Sequence, residues 1–156
     1  MIILGIDPGT TRIGWAFLNV GRKKIVPIDY GCWELKTFDP GRRLEKIAQN
    51  LNRAIKNYHP SYMVIEKIFF FKNAKTVMKI SEAKGVIILI AQKNHLPYLE
   101  LTPLEVKQNI TGYGRAEKKD VQKAVQVFFS LKEIPKPDDA ADALAIALAG
   151  LRKIEK

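Results

Sequence analysis

Ile2-Ile3-Leu4-Gly5-Ile6-Asp7-Pro8-Gly9-Thr10 follows Met1, and its first five residues form an apolar run broken by one glycine. A short run of this kind, rich in β-branched residues, is typical of a strand buried on both faces of a sheet. Asp7 stands where the strand should reach the surface, and Pro8-Gly9 then turns the chain. A carboxylate here either bonds its own backbone in a turn or is balanced by a cation, because burying an unpaired charge is costly. This segment alone leaves both interpretations open.

Length, charge and cysteine content limit the class of protein. The chain has 156 residues, which predicts one domain over 1–156. Its net charge of +10 predicts a polyanionic partner, with nucleic acid as the first candidate and an anionic membrane surface as the second. No Cys/His cluster indicates zinc, and the one cysteine, Cys32, is expected to be a small buried residue. The sequence shows neither a signal peptide nor an apolar stretch long enough to span a membrane, so we expect a cytoplasmic protein.

Apolar periodicity predicts an α/β fold that begins with an antiparallel meander of three strands. The strands are expected at 2–6, 12–20, 25–35, 61–65 and 97–101. The helices are expected at 42–58, 74–93, 103–111, 116–129 and 138–151. We therefore predict a five-stranded mixed sheet with flanking helices in the order β-β-β-α-β-α-β-α-α, in which the minor helices are left open.

Carboxylates end two predicted strands and begin one predicted helix. Asp7 ends the first strand, and Glu66 follows the fourth. Asp139 and Asp142 are three residues apart at the start of an alanine-rich helix, so they share one of its faces, and the pair Asp138 and Asp142 could do the same. If the first and fourth strands are parallel neighbours, all these acids can meet at one sheet edge. Taken singly, each acid also has an ordinary explanation, as a surface residue or as a favourable charge at a helix start.

Four converging carboxylates with no histidine or cysteine beside them would repel one another unless cations lay between them. Oxygen ligands of this kind select hard ions, Mg²⁺ or Mn²⁺. A pair of such ions supports in-line displacement at a phosphodiester by holding the attacking and leaving oxygens. The residues thus predict a metal-dependent phosphodiesterase site if the strands and the last helix meet as described.

Basic residues near the acids indicate a nucleic-acid substrate. Lys118 and Lys119 are expected in the first turn of a helix, where the helix dipole disfavours cations but phosphates dock. We therefore interpret them, with Lys107 and Arg115, as contacts to a DNA backbone. Lysines exposed on helices are common, so a simple solvated face is the alternative.

Three consecutive aromatic residues, Phe69, Phe70 and Phe71, lie in the loop after Glu66. They cannot all point inward from one loop, so at least one is expected to face the substrate, where it would stack on a base or wedge between bases. We assign Phe69 to DNA binding, with the choice among the three left open.

Four motifs carry a resemblance to a known family, and they are Gly5-Ile6-Asp7-Pro8-Gly9-Thr10, Ile65-Glu66, the run 112–119 and Asp139-Ala140-Ala141-Asp142-Ala143-Leu144-Ala145. In this order they resemble the RuvC family of Holliday-junction resolvases, within the ribonuclease H-like superfamily. The resemblance implies a ribonuclease H-like fold and catalytic, metal-binding carboxylates at Asp7, Glu66, Asp139 and Asp142. It implies an endonuclease that depends on Mg²⁺, with two ions in each site and Mn²⁺ as a substitute.

The resemblance also implies a substrate and partners. The enzyme would be a crossover junction endodeoxyribonuclease that cuts two opposed strands of a four-way junction by paired nicks in recombination and repair. Its partners would be junction DNA, a second copy of the chain and a branch-migration helicase complex. The loop 67–71 is more aromatic than the family's usual loop, so the resemblance does not decide which of its aromatic residues contacts the junction.

Two finer predictions concern single helices. The helix around 77–91 is expected at or near the homodimer interface, because its second half is apolar all round. Asp138 follows Pro137 and is expected to cap the last helix, which favours Asp139 over Asp138 as the metal ligand. The family motif aligns in the same register.

Three other classes of protein remain as alternatives. The first is a ribonuclease H-like enzyme that acts on RNA or simple duplexes. The second is a sugar-kinase or actin-like ATPase, whose phosphate loop also reads Asp-x-Gly-Thr but which needs two such domains. The third is a non-catalytic DNA-binding protein, which would explain the charge and leave the four acids without a role.

Overall fold

The fold of residues 1–69 and 73–154, which the computed structural model describes, confirms the predicted α/β class. The strands are β1 (Ile2–Asp7), β2 (Arg12–Val20), β3 (Ile25–Glu34), β4 (Tyr62–Glu66) and β5 (Tyr98–Leu101). The helices are α1 (Pro40–Tyr58), α2 (Ala74–Lys93), α3 (Pro103–Thr111), α4 (Lys118–Phe128) and α5 (Asp138–Ile154). Three helices follow β5, one more than the predicted order showed, and each lies close to one of the predicted ranges. Within the described ranges, none of the helices combines the length and apolarity needed to cross a membrane.

One mixed sheet holds all five strands in the order β3-β2-β1-β4-β5. The first three strands form the predicted antiparallel meander. β1 then pairs with β4 in parallel, and β4 pairs with β5 in parallel. Because β1 lies in the centre of the sheet, it is buried on both faces, as its apolar sequence predicted.

Two hydrophobic cores lie on opposite faces of this sheet. Ile3 of β1 faces a core that contains most of α5 with parts of α3 and α4. Leu4 and Ile6 face the other core, which is formed with α1 and α2. Alternate residues of one strand thus supply both layers, so the sheet is held rigidly between helices.

Helix α5 lies unusually close to the sheet because small residues face each other across the contact. A Cβ added at Gly5 of β1 would lie 2.3 Å from the carbonyl oxygen of Ala143 and 2.7 Å from the Cβ of Ala147. Any larger residue at position 5 would therefore push the helix away. The alanine-rich sequence of α5 predicted this close packing.

Helix caps fix the ends of the elements near the predicted site. α1 begins two residues earlier than predicted because Asp39 caps it, accepting a hydrogen bond from the Arg42 amide at 2.8 Å. At α3, Thr102 and Glu105 form a capping box. The Thr102 amide and the Lys153 ammonium bond Glu105 and lower its pKa to about 2. Since Lys153 belongs to α5, this pair ties α3 to α5.

Candidate active site

Two carboxylates emerge side by side from parallel strands. Asp7 is the last residue of β1, and Glu66 is the last residue of β4. Ile6 pairs with Ile65 across the two strands, which sets the two acids next to each other in register. The condition on which the sequence argument depended, a parallel β1–β4 pair, is met.

Helix α5 brings its first turn over the same edge of the sheet. A Cβ added at Gly14 of β2 would lie 2.0 Å from the backbone carbonyl oxygen of Asp139. Gly14 pairs with Asp7 across β1 and β2, so this close contact places the start of α5 directly beside the end of β1. The glycine is therefore required for Asp139 and Asp142 to approach Asp7.

The four acids form one electrostatic cluster. Burial and the charges of Glu66, Asp142 and Asp139 raise the pKa of Asp7 well above its usual value. Burial and the charge of Asp142 likewise raise the pKa of Glu66 to about 7, while Lys107 and Lys118 oppose the rise. Burial also raises the pKa of Asp142, against the lowering effect of Lys118. Burial is the largest cause of each raised pKa, and repulsion between the acids adds to it, so this is a place suited to hold positive charge.

Among the described residues, two side-chain cations form ion pairs with the acids at the start of α5. The Lys118 Nζ lies 3.0 Å from an Asp142 carboxylate oxygen and 3.4 Å from one of Asp138. The Arg12 Nε lies 3.5 Å from an Asp139 carboxylate oxygen. Burial opposes the charge on Lys118, but the bonds to Asp142 and Asp138 raise its pKa above the usual value. Lys118 is therefore charged and held against the acids of α5.

The predicted capping role of Asp138 is wrong. The structure places Asp138 as the first residue of α5, inside the helix instead of before it. Its carboxylate pairs with Lys118 of α4, because the start of α4 lies alongside the start of α5. Asp138 is also the most exposed of the α5 acids, with 66% of its side chain accessible against 25% for Asp139 and 28% for Asp142.

The acids fit a hard metal ion by their chemistry, although the ligand shell is not closed as the side chains stand. Among residues 1–69 and 73–154, no three His, Cys, Asp or Glu side chains are grouped closely enough to hold a metal ion. Asp139 and Asp142 each turn a carboxylate oxygen to Arg12 or Lys118 instead. The oxygen-only donor set and the raised pKa values of Asp7 and Glu66 are what a site for Mg²⁺ or Mn²⁺ would show without its ion.

We expect Glu66→Gln to stabilise the protein in chelator at pH 8. The pKa of Glu66 is raised from 4.5 to about 7, so the folded state binds the proton more tightly than the unfolded state. Wild-type stability should then fall as pH rises from about 4.5 to 7, and a neutral glutamine avoids this loss. The gain should reach on the order of 2–3 kcal/mol above pH 7 and vanish below about pH 4.5.

Urea unfolding of wild type and Glu66→Gln across this pH range measures the effect. Glu45→Gln, an exposed acid on α1, serves as the matched control and should change stability little at any pH. An equal or lower stability of Glu66→Gln at pH 8 would contradict the proposed repulsion in the cluster.

The predicted basic residues are placed unequally around the acids. Lys107 on α3 and Lys118 on α4 are close enough to Glu66 to lower its pKa. Lys119 and Arg115 are exposed near the start of α4, Lys119 in its first turn and Arg115 in the loop before it. Lys107 and Lys118 therefore belong to the site itself, and the other two to its surroundings.

Phe69 lines a cleft that opens at Glu66. The cleft has a volume of about 460 Å³, and its walls include Pro8, Asn73 and Pro103. The side chain of Phe69 is 46% exposed. Phe70 and Phe71, the other two candidates for a base contact, lie outside the described residues.

Comparison with known proteins identifies the family. A family model described as "Crossover junction endodeoxyribonuclease RuvC" matches residues 3–150. The chain belongs to the RuvC family. The RuvC of Fusobacterium nucleatum is 44% identical over 155 residues, which cover 99% of this chain and 82% of that protein. The RuvC of Desulforamulus reducens is 46% identical over 149 residues, which cover 95% of this chain and 91% of that protein.

Solved structures of RuvC share the whole fold. A structure of Thermus thermophilus RuvC matches with a TM-score of 0.92 and 28% identity, covering 99% of this chain and 96% of that chain. A second structure, of Thermus thermophilus RuvC in complex with Holliday junction substrate, matches with a TM-score of 0.92 and 29% identity, covering 99% and 94%. The ribonuclease H-like fold and the family resemblance predicted from the motifs are confirmed.

Two arginines contribute to the RuvC-like site and were missed by sequence reasoning. Arg12 contacts Asp139, and its place directly after the turn that follows Asp7 was a signal that could have found it. Arg43 is 6% exposed and donates to the carbonyl oxygens of Thr10 and Lys79 and to the Glu82 carboxylate. It fixes the turn after Asp7 against α2. Nothing in the sequence separates it from the other basic residues at the start of α1.

Proposed function

We propose that this RuvC-family protein is a structure-selective DNA endonuclease that resolves four-way (Holliday) junctions in recombination and repair by paired symmetric nicks. The observation that carries the proposal is the collection of Asp7, Glu66, Asp139 and Asp142 at one sheet edge, in a chain related along nearly its whole length to crossover junction endodeoxyribonucleases. We propose one nuclease domain over 1–156, acting in the cytoplasm, where its DNA substrate would be found.

The four acids, Asp7, Glu66, Asp139 and Asp142, would hold the metal. We infer Mg²⁺ as the ion, with two in each site and Mn²⁺ as a substitute. When bound, such ions activate a water and stabilise charge on the oxygens of the scissile phosphodiester. Lys107 and Lys118 are placed beside Glu66, where their charges can orient the phosphate and offset the repulsion between DNA and the acids.

As partners we propose four-way junction DNA, a second copy of the chain and a branch-migration helicase complex. Junction DNA is supported by the complex known for Thermus thermophilus RuvC. The two-fold symmetry of paired cuts supports the second copy, since an isologous dimer places its two sites symmetrically.

Dimerisation should occur through α2. The outer side of this helix leaves Met78 at 64% and Leu89 at 55% exposed, and a side chain at Gly85 would meet open space. We expect sedimentation equilibrium to show a dimer at micromolar concentration and Leu89→Glu to shift it to monomer. Val127→Glu, which adds the same charge at an exposed apolar residue of α4, should remain dimeric. Wild type that sediments only as monomer contradicts this assignment.

Lys118→Ala should weaken binding to all junction sequences to a similar extent. The lysine would contact phosphate and read no base, so its loss should lower the slope of log K against log salt by about one unit or less. The change in this slope should be smaller than that for one full phosphate contact, because Lys118 already pairs with Asp142 within the protein.

The measurement is a salt titration of junction binding by fluorescence anisotropy. Lys123→Ala, at an exposed position of the same helix, is the matched control and should leave the slope unchanged. A loss of affinity for some sequences only, with the wild-type salt slope, would mean that Lys118 reads bases.

A nicking assay on a synthetic four-way junction tests the proposed function as a whole. With Mg²⁺ we expect two symmetric nicks in opposed strands, and none with chelator or on linear duplex of the same sequence. Equal cutting of duplex or of RNA would favour a general ribonuclease H-like enzyme. Junction binding without any cutting would favour a non-catalytic DNA-binding protein, and ATP hydrolysis in place of nicking would favour an ATPase.

A further inference from the structure

A second groove lies beside the acidic cluster, on the α1–α2 side of the sheet. It has a volume of about 770 Å³. The turn after β1, the loop between β3 and α1, and the first turns of α2 form its walls. Its lining includes Thr10, Arg12, Lys36, Phe38, Lys75 and Lys79.

The charge on this groove is positive. Its two acids are neutralised within the protein, since Glu34 pairs with Lys36 at 2.6 Å and Glu82 pairs with Arg43 at 3.1 Å. Lys75 and Lys79 form no ion pair with any described residue. The first turn of α2 also lacks an acid, so Lys75 stands where the helix dipole disfavours a cation. Contact with an external anion explains Lys75 better than local stability does, and the same anion would give Lys79 a partner.

An aromatic ring lines the same groove as these lysines. Phe38 is fully exposed, at 108% of the reference accessibility for its residue type. Leaving an entire phenylalanine in water gives up the free energy that its burial would provide. A flat exposed ring flanked by lysines is the combination with which proteins hold single-stranded nucleic acid, because every base can stack on it.

The groove is continuous with the candidate active site. Thr10 belongs to the turn that follows Asp7, and its carbonyl oxygen is fixed by Arg43 at 2.9 Å. Arg12 lines the groove and also contacts Asp139 of the acidic cluster at 3.5 Å. Arg12 therefore joins the groove to the acidic cluster.

We propose that this groove binds a single-stranded segment of the DNA substrate next to the cleavage site, with Lys75 and Lys79 on its phosphates and Phe38 stacked on a base. The proposal rests on the proposed function, which supplies the DNA. A second copy of the chain does not suit the groove, because the exposed apolar residues of α2 that we assign to the dimer, Met78 and Leu89, do not line it. An acidic protein segment would match the charge but not the continuity with a nuclease site.

Binding measurements in the catalytically inactive Asp7→Asn background test the groove. The probes are a labelled four-way junction and a labelled single strand of about 12 nucleotides, which is within the usual site sizes for such proteins. Lys75→Ala/Lys79→Ala should bind both about tenfold more weakly and lower the salt slope by about one to two units. Phe38→Ala should bind the single strand several-fold more weakly with an unchanged salt slope, since it removes no charge.

Lys56→Ala/Lys93→Ala is the matched control, because it removes two exposed lysines at the C-terminal ends of α1 and α2, outside the residues that line the groove. It should change affinity by less than about twofold. The proposal is overturned if the groove variants bind both probes as tightly as this control does. It is also overturned if an unlabelled acidic peptide displaces the single strand while Phe38→Ala binds that strand as tightly as the parent protein. Lys75 and Lys79 lie on α2, the proposed dimer helix. If their substitution alters dimerisation, the affinity of Phe38→Ala decides, because Phe38 lies in the loop between β3 and α1.

The proposed function is tested by a different measurement from the one that tests the groove. Failure of that function would appear as absence of junction nicking by wild type with Mg²⁺, whereas failure of the groove would leave nicking intact and the groove variants indistinguishable from the control. The two results therefore cannot be confused.

Discussion

Asp7→Asn is expected to abolish cleavage of a four-way junction while leaving junction binding intact or slightly tighter. Asp7 is the most deeply placed acid of the cluster, and the three others all raise its pKa. An amide at this position cannot supply the charge that a metal ion requires, so the chemistry is lost. Binding depends on basic residues, and removing a negative charge beside phosphates lessens repulsion.

The experiment compares nicking rate and junction affinity in one preparation of the variant. Its thermal unfolding in chelator serves as the control for folding, and we expect a midpoint at or above that of wild type, because a buried repelled charge is gone. Loss of binding together with loss of cutting, in a variant that unfolds cooperatively, would falsify the assignment of Asp7 to catalysis alone.

The parts of this site that sequence could predict are those set by strand order and helix periodicity. Asp7 and Glu66 end apolar runs, and parallel pairing of two such runs leaves the acids side by side. The alanine content of α5 predicted a close approach to the sheet, which Gly5 allows by the absence of a Cβ. These features depend on local residue patterns, so they were visible in the sequence.

Contacts between distant elements could not be predicted in the same way. Asp138 looked like a helix cap because it follows a proline, yet its partner is Lys118, whose position depends on how α4 packs beside α5. Arg12 reaches Asp139 only because β2 passes under the start of α5. No pattern within one segment reports which side chain of another segment lies opposite.

The structure also changes how the basic residues of the site are understood. Lys118 and Arg12 each contact an acid of α5, with Lys118 at 3.0 Å from Asp142 and Arg12 at 3.5 Å from Asp139. DNA phosphates offer these two cations other partners.

Substitution of the acids of α5 is expected to have the second large effect on cleavage. The spacing of Asp138, Asp139 and Asp142 does not by itself show which of them bind metal. We expect Asp139→Asn and Asp142→Asn each to reduce cleavage by orders of magnitude, with little loss of stability. Asp139 and Asp142 both raise the pKa of Asp7, which places their charges on the cluster. Their side chains are also largely shielded from solvent, at 25% and 28% exposed.

Asp138→Asn should remain active and is the matched control for both variants. Asp138 is 66% exposed and pairs with Lys118, so its substitution removes one exposed ion pair, which contributes little to stability. Mg²⁺-dependent nicking by the three purified variants decides between the two pairs of acids. If Asp138→Asn is inactive while Asp139→Asn cuts normally, then Asp138 and Asp142 are the ligands, and the proposed register of α5 over the end of β1 is wrong.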